Sequence, residues 1–484
     1  MNKILGRQRE VKILESIYQS QHPEFLAIYG RRRVGKTFLI SEFFKNKGIY
    51  FELTGIKDAS MNVQLNNFTA EYSDLFFKGI KQAVPSDWFD ALTQLRYQIE
   101  KIESRDKIIL FLDELPWLAS PKSNFLQALD HFWNRYMSRD NRIILVICGS
   151  AASWMIKHVI YNKGGLHGRL TREIKLIPFD LSEVERYCQA KDIHLDRKQI
   201  LEIYMVMGGV AKYLTYIERG KSSAQIINDS CFSGSGGLYK EFNKLYASLF
   251  NNHEQHVKII KALAKNRSGL TKNELLKKTG MTSGGTTSKI FNELEESSFI
   301  VYMKSFNKGK NNGRYRLIDE YSLFYLTWIK DIQNLSIRGV EKDFWIKKFN
   351  SRAWTSWSAY AFESICLKHI EQIKQALGIS GVSTRESCWF IQGQSDSELG
   401  AQIDLVIDRD DNCINLCEIK FHNSKFRANK KFVADQFRKK ELFRSFTKTR
   451  KTLFLTLITT YGAEENQYYH QIVDNQLTMN DLFE

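Results

Sequence analysis

Residues 30–37 hold the side chains with the most distinctive chemistry, a glycine-rich loop that ends in lysine and threonine. The loop follows the apolar run FLAIYG and opens the helical run FLISEFF. In such a loop the backbone N–H groups surround phosphates, the lysine reaches the β and γ phosphates, and the threonine hydroxyl binds Mg²⁺. The pattern predicts a nucleoside triphosphate and Mg²⁺ site formed by Gly30, Arg31, Arg32, Arg33, Val34, Gly35, Lys36 and Thr37.

A pair of acidic residues, Asp113 and Glu114, ends the apolar run KIILFLDE. Ligands of open parallel sheets bind at the carboxyl ends of the strands, where this pair would lie. We expect Asp113 to hold Mg²⁺ and Glu114 to orient the attacking water as the general base. Ser150 ends the next apolar run and is a candidate γ-phosphate contact. Arg169 and Arg172 are candidates for the compensating positive charge, with solvated surface arginines as the alternative.

The C-terminal part carries a second group of acidic residues: Glu363 in the helical run AFESIC, Asp404 in GAQIDLVID, and Glu418 with Lys420 in INLCEIKF. Because side chains alternate along a strand, Glu418 and Lys420 share one face and can meet Asp404 from a neighbouring strand. Carboxylates so placed can hold Mg²⁺ that polarises a scissile phosphate, while the lysine stabilises charge. Gln436 is a further candidate contact. The sequence therefore predicts catalytic roles for Asp404, Glu418 and Lys420, with Glu363, Asp404 and Glu418 as metal ligands.

The E-x-K pattern is common, and it occurs twice more in this chain, at residues 10–12 and 173–175. Only the order of helix, strand and strand distinguishes the C-terminal occurrence. Three interpretations stay open: an intact metal site, a nuclease-like fold that only binds DNA, and chance.

Five segments with different patterns must position these groups. Apolar runs alternate with helical runs over residues 1–180, which predicts a parallel sheet covered on both faces. A helical lid is expected over 181–252, a winged helix over 253–320, a helical connector over 321–357 and a second α/β unit over 358–484. The predicted fold class is α/β.

The winged-helix prediction depends on three helical runs followed by a hairpin. Thr271 and Glu274 fit a capping box at the second helix, and Lys289 lies near the start of the expected recognition helix. The hairpin is expected to lie on a phosphate backbone. Its basic residues are Lys308, Lys310, Arg314 and Arg316. A protein-docking module is the alternative.

Charge and composition indicate the partners. Lysine and arginine total 70 against 54 acidic residues, a formal charge of +16, which favours nucleic acid over a merely basic surface. The five phenylalanines between residues 425 and 451 are expected to pack a helix rather than to stack on bases. Seven cysteines without a C-x-x-C pair, together with the absence of a signal-peptide pattern or a membrane-length apolar run, predict a cytoplasmic protein with no membrane partner. The oligomeric state stays open, a homo-oligomer included.

The first 220 or so residues resemble the archaeal-type P-loop ATPases of the AAA+/STAND group. The resemblance is carried by GRQREVKILE, GRRRVGKT, FLDELPWL, CGSAASWM and GRLTREIKLIPF. It implies ATP as the nucleotide. One departure is Ala211, where the family commonly has proline. Residues 358–484 resemble the restriction-endonuclease-like domain, with a PD-(D/E)XK core, that often follows this ATPase.

These features predict an ATP-binding and ATP-hydrolysing protein that acts on DNA through a metal-dependent nuclease-like C-terminal domain. A role in defence or mobile-element maintenance is implied by the resemblance alone. The alternative is an ATP-gated signalling switch or DNA-binding regulator whose C-terminal domain does not cleave. An ATPase that remodels proteins is a third interpretation.

Overall fold

The chain forms two compact units, Met1–Pro178 and Phe179–Glu484, each built around a five-stranded sheet. The computed structural model describes residues 4–161, 166, 168–234, 236–250, 252–306, 312–332, 343–391 and 400–484. None of the helices in these ranges is long and apolar enough to cross a membrane. All seven cysteines are free thiols, and six of them are buried.

The first unit contains a parallel sheet in the order β2-β3-β4-β1-β5. Its strands are β1 (Glu24–Tyr29), β2 (Ile49–Thr54), β3 (Ile108–Asp113), β4 (Ile143–Gly149) and β5 (Arg172–Lys175). Strands β1, β3 and β4 are buried along their whole length, because hydrophobic cores cover both faces of the sheet. The predicted parallel sheet is confirmed.

Helices connect these strands and supply both covering layers. They are α1 (Gln8–Gln19), α2 (Lys36–Phe44), α3 (Met61–Phe77), α4 (Trp88–Glu100), α5 (Leu115–Leu118), α6 (Phe125–Arg135) and α7 (Ala152–Met155), with short turns at Met137–Arg139 and Ile156–Ile160. The parallel arrangement brings the carboxyl ends of all five strands to one edge of the sheet, where β1 leads into residues 30–37 and β3 ends at Asp113.

The second unit begins with helices. They are α8 (Leu181–Ala190), α9 (Arg197–Met207), α10 (Ala211–Leu214), α11 (Ser223–Cys231), α12 (Glu241–Leu249), α13 (His253–Ala264), α14 (Lys272–Thr279) and α15 (Gly285–Glu296). An antiparallel hairpin follows, formed by β6 (Ile300–Lys304) and β7 (Gly313–Leu317). Thr271 and Glu274 form the capping box predicted for α14. Three helices and a hairpin are thus present at 253–317, and the winged-helix assignment itself stays a prediction.

The rest of the second unit is a mixed sheet with helices. Its elements are α16 (Glu320–Phe324), a turn at Tyr325–Ile329, α17 (Phe344–Lys348), α18 (Arg352–Lys368), α19 (Ile370–Ala376), β8 (Thr384–Ile391), β9 (Ala401–Arg409), β10 (Cys413–Lys420), α20 (Lys430–Thr447), β11 (Thr452–Thr459), β12 (Asn475–Thr478) and a turn at Met479–Phe483. Strands β8, β9 and β10 are antiparallel, and β10, β11 and β12 are parallel. The second α/β sheet is therefore confirmed as a separate sheet.

One hydrophobic core runs through the second unit from α8 to its last residues. It includes Leu201, Leu263, Trp345, Ile365 and Leu482. The borders predicted near 252, 320 and 357 therefore lie within a shared core, and the segments between them pack as one compact body.

His369 lies between α18 and α19 and joins the C-terminal segment to α8. Its Nδ1 lies 2.8 Å from the carbonyl oxygen of Ile365, and its Nε2 accepts a hydrogen bond of 3.1 Å from the N–H of Leu181. The pKa of His369 is lowered from 6.5 to about 4, chiefly by burial and also by the nearby charge of Lys368, while the hydrogen bond with Ile365 and the charge of Asp180 oppose this. The ring is therefore held neutral.

This histidine gives a pH-dependent stability. Between pH 6.5 and about 4 the His369 ring is protonated in the unfolded chain but stays neutral in the folded protein. Its contribution to the free energy of unfolding is therefore complete above pH 6.5 and is lost as the pH falls. We expect the free energy of unfolding to drop by roughly 3 kcal/mol across this window. Urea unfolding at several pH values checks this, with His369→Gln as the comparison. An equal pH slope in both proteins would contradict the assignment.

Candidate nucleotide site and C-terminal carboxylates

In the loop between β1 and α2, the side chain of Lys36 is hydrogen-bonded to backbone carbonyl oxygens of the same loop. Gly35 has a φ of 94°, which favours glycine, and places Lys36 at the first position of α2. The buried Lys36 Nζ donates hydrogen bonds to the carbonyl oxygens of Gly30 at 2.9 Å and Arg31 at 3.0 Å. Burial lowers the pKa of Lys36, and the charges of Asp113 and Glu114 are among those that oppose this shift.

The first glycine of the loop is fixed by a close backbone contact. A Cβ at Gly30 would lie 2.2 Å from the carbonyl oxygen of Leu176, and the φ of Gly30 is 145°. A larger residue would push the loop away from the segment that follows β5. Arg31 is buried, whereas Arg32 stays partly exposed with its guanidinium 5.2 Å above the ring of Trp117.

Four predicted residues meet at the carboxyl edge of the sheet. Thr37 Oγ1 donates to Asp113 Oδ2 at 2.6 Å, and the N–H of Glu114 donates to Asp113 Oδ1 at 2.8 Å. Ser150 Oγ donates to Glu114 Oε2 at 2.8 Å, and the Ser150 N–H reaches the same oxygen at 3.3 Å. The start of α2 and the ends of β3 and β4 thus bring the hydroxyls of Thr37 and Ser150 and the carboxylates of Asp113 and Glu114 into one hydrogen-bonded group.

The two candidate arginines lie apart from this group. Arg172 pairs with Leu26 in the sheet register, while Lys175 pairs with Tyr29 at the loop end of β1. Arg172 is therefore nearer the opposite end of the strand, and both Arg169 and Arg172 are exposed. The structure does not bring either one to the phosphate loop of its own unit.

Two residues near the loop were missed by the sequence reasoning. Arg7 is buried and its Nη2 donates to the carbonyl oxygen of Val34 at 3.1 Å. Cys148 is buried next to Asp113, and burial together with the charge of Asp113 raises the pKa of its thiol well above the ordinary value. The signal for Arg7 was its place in GRQREVKILE, one of the segments that carry the family resemblance.

Residues 4–217 match a family described as an ATPase domain predominantly from Archaea. Residues 4–217 form an archaeal-type ATPase domain. This confirms the resemblance predicted for the first part of the chain, and the matched range extends from α1 through α10.

Relatives of the whole chain are distant. An uncharacterized protein of Methanocaldococcus jannaschii is 24% identical over 441 residues, which cover 90% of this chain and 92% of that protein. An uncharacterized ATP-binding protein of the same organism is 42% identical over 45 residues, 9% of this chain and 76% of that protein. Among solved structures, the Walker-type ATPase of Pyrococcus abyssi aligns at 16% identity with a TM-score of 0.48, covering 67% of this chain and 96% of that one.

Outside the ATPase domain, Glu418 on β10 is held by two lysines. Lys420 Nζ lies 2.6 Å from Glu418 Oε1, and Lys439 Nζ on α20 donates to Glu418 Oε2 at 2.9 Å. Burial alone would raise the pKa of Glu418, but Lys420 and Lys439 hold it below its ordinary value. The sequence reasoning missed Lys439, although it lies three residues after the buried Gln436, on the same face of α20.

The other two predicted carboxylates also have partners. Glu363 Oε2 accepts a hydrogen bond of 3.0 Å from Arg316 Nη2, and Asp404 Oδ1 accepts one of 2.7 Å from Gln402 Nε2. Burial and the charge of Asp404 raise the pKa of Glu363 to about 7, while Arg316 opposes this. Within the described ranges, no group of three or more His, Cys, Asp or Glu side chains could hold a metal ion. The predicted ligand set does not fit a metal in this conformation.

The hairpin prediction needs correction. Lys308 and Lys310 lie outside the described residues, but Arg314 and Arg316 face protein rather than a phosphate backbone. Arg314 Nη1 donates to the carbonyl oxygen of Gly269 at 2.7 Å and its guanidinium lies 4.7 Å from the ring centroid of Phe390. Arg316 is 2% exposed. Both arginines are covered because strand β6 packs against β8.

The prediction for the C-terminal phenylalanines was right in part. Phe443 is fully buried and Phe426 nearly so, which agrees with helix packing. Phe437 and Phe446, however, are 46% and 57% exposed on α20. For these two rings the expectation of a buried packing role was wrong.

Proposed function

We propose that this protein hydrolyses ATP at the β1–α2 loop and acts on DNA through the nuclease-like unit at residues 358–484. The observation that carries the DNA part is an exposed surface of α20, described below. The ATP part is supported by the archaeal-type ATPase domain and by the connected group around Thr37 and Asp113.

The residues at the loop fit Mg²⁺ and a nucleotide. The Thr37 hydroxyl and the Asp113 carboxylate are adjacent oxygen donors, the type that Mg²⁺ prefers, and they would hold it. Bound Mg²⁺ would neutralise phosphate charge. Lys36 would contact phosphate oxygens, and Glu114 would accept a proton from the attacking water. Since Ser150 donates to Glu114, we assign it the role of orienting that carboxylate.

The outward side of α20 combines positive charge with exposed rings. We call it the α20 outer face. Its residues are Lys430, Lys431, Phe437, Arg444, Phe446 and Lys448. Lys430, Phe437 and Arg444 follow the helical repeat and form one stripe, in which Glu441 is the acidic neighbour. Phe446 lies on the other flank of the exposed side, about 180° round the helix from Phe437, and Lys448 follows the last helical residue. Within the described chain, none of the four cations on this face forms an ion pair with a carboxylate.

This combination fits single-stranded nucleic acid. Cations track a phosphate backbone, and exposed aromatic rings offer platforms on which successive bases stack. The net charge of +16 favours a polyanionic partner, of which nucleic acid is one. The α20 outer face is therefore the surface on which we expect DNA to bind.

Removing both exposed rings should weaken this binding. Stacking contributes about 1–3 kcal/mol per base, so the double variant F437A/F446A is expected to lose about tenfold or more in affinity for a single-stranded oligonucleotide. Fluorescence anisotropy over a salt series measures this. Phe89→Ala, which removes a ring that is 42% exposed on α4, is the matched control. Equal affinities for wild type and double variant would contradict the assignment.

Incubation of DNA with wild type or Asp404→Ala, with and without Mg²⁺, distinguishes a C-terminal unit that cleaves from one that only binds. The order α18–α19, three antiparallel strands, α20 and a parallel strand supports a nuclease-like fold. The pairing of Glu363 and Glu418 with basic residues supports the alternative, a DNA-binding regulator that does not cleave in this conformation. DNA cut only with Mg²⁺, and not by Asp404→Ala, would support the nuclease. DNA that shifts but stays intact would favour the regulator, and DNA that neither shifts nor breaks would overturn both.

A further inference from the structure

Arg316 is a buried cation that reaches from the β6–β7 hairpin into the C-terminal carboxylates. It is 2% exposed, and its Nη2 lies 3.0 Å from Glu363 Oε2. The charges of Glu363 and Asp404 both raise the pKa of Arg316 against the effect of its burial. A buried guanidinium is costly unless carboxylates compensate it, so the ion pair with Glu363, together with the nearby charge of Asp404, stabilises Arg316 in this position.

We infer that Arg316 is an internal counter-ion that occupies the carboxylate group in place of a metal, so that the β6–β7 hairpin keeps the C-terminal unit in a state that takes up no divalent cation. This inference rests on the proposed nuclease-like function of residues 358–484. It goes beyond that function because it names the contact that controls the site.

The hairpin is fixed on the C-terminal sheet beside this contact. The N–H of Phe306 donates to the carbonyl oxygen of Cys388 on β8 at 2.9 Å. The Phe306 ring lies 4.9 Å from that of Phe443 on α20, in a core that also contains Trp389. The packing of the β6–β7 hairpin on β8 and α20 therefore fixes the backbone that carries Arg316, in addition to the contacts of its side chain.

Charge balance explains why a divalent cation is excluded. Lys439 also lies 3.4 Å from Asp435, whose charge is balanced by Arg438 at 2.8 Å. This leaves three cations, Arg316, Lys420 and Lys439, for the carboxylates of Glu363, Asp404 and Glu418. An added divalent ion would leave two uncompensated positive charges in a largely buried site, where repulsion is poorly screened. Both oxygens of Glu418 and one of Glu363 are moreover already engaged by these cations.

Removing Arg316 should therefore create metal affinity. We expect nucleotide-free, full-length Arg316→Gln to bind Mn²⁺ at least about tenfold more tightly than wild type, because one buried positive charge is gone. Isothermal titration with Mn²⁺ alone measures this without an activity assay. Asp404→Ala in the Arg316→Gln background should abolish the gain. Arg385→Gln, which removes an exposed arginine of β8 that pairs with Asp410, should leave Mn²⁺ affinity at the wild-type level.

A second variant tests the same inference in case Arg316→Gln does not fold. Phe306→Ala keeps Arg316 but loosens the docked hairpin, and it should raise Mn²⁺ affinity in the same direction. Thermal unfolding reports whether each variant is folded. Equal Mn²⁺ affinity in wild type, Arg316→Gln and Phe306→Ala overturns the inference, whether that affinity is high or undetectable. The proposed DNA function fails separately, if wild type binds no oligonucleotide in the anisotropy experiment.

Discussion

Replacing Glu114 with glutamine is expected to slow ATP hydrolysis by about 10²–10⁴-fold, the usual contribution of a positioned general base. Glutamine has nearly the same shape and can still accept the hydrogen bond that Ser150 Oγ donates at 2.8 Å. It cannot take a proton from water. Because Lys36 and Thr37 are untouched, ATP affinity should stay close to that of wild type.

Single-turnover hydrolysis and equilibrium ATP binding, measured on the same preparation, check this separation. Ser150→Ala is the comparison, because it removes the group that orients Glu114 and leaves the carboxylate itself. Its rate should fall by less than that of Glu114→Gln. A Glu114→Gln protein that hydrolyses ATP at nearly the wild-type rate would show that another group activates the water.

The nucleotide site could be predicted because its parts follow from local rules. The loop at 30–37 is contiguous, and the order of its residue types is enough to predict phosphate and Mg²⁺ binding. Asp113, Glu114 and Ser150 are distant in sequence, but each ends an apolar strand. In a parallel sheet such ends meet at one edge. The pattern therefore predicts that the three residues lie together without any knowledge of which strands are neighbours, and the structure brings them together; their roles stay predictions.

The contacts that the sequence did not predict are tertiary contacts that no local pattern encodes. Arg7 contacts Val34, Lys439 contacts Glu418, and Arg316 contacts Glu363, over separations of 27, 21 and 47 residues. The basic hairpin illustrates the difficulty. Its elements form as predicted, but whether its arginines face solvent or protein is decided by the docking of β6 on β8, which depends on two distant segments.

In helix α20, too, the sequence could not predict which side chains are buried. Its phenylalanines recur at positions that helical periodicity can place on either side. Phe443 lies inward and Phe437 outward, because the adjacent sheet covers only one face of the helix. The composition indicates a basic segment rich in aromatic residues, but the packing of the sheet on one side of α20 decides which rings are exposed to solvent.

Substituting Lys36 with alanine is expected to weaken ATP binding by about 100-fold or more, because a buried cation that contacts phosphate is lost. Binding of a fluorescent ATP analogue measures the loss, and circular dichroism checks that the fold is kept. Lys45→Ala, at the other end of α2, removes an exposed lysine paired with Glu42 and should bind ATP normally. Tight ATP binding by Lys36→Ala would refute the assignment of the loop.

Lys36→Arg sharpens this test, because it keeps the charge and changes only the shape. The Lys36 ammonium lies within 3.0 Å of the carbonyl oxygens of Gly30 and Arg31, in a loop whose first glycine leaves no room for a Cβ. The broader guanidinium does not fit between these oxygens without displacing the backbone. We therefore expect Lys36→Arg to lose most of the ATP affinity lost by Lys36→Ala. Affinity restored by arginine would mean that charge alone, and not the geometry of this loop, holds the phosphates.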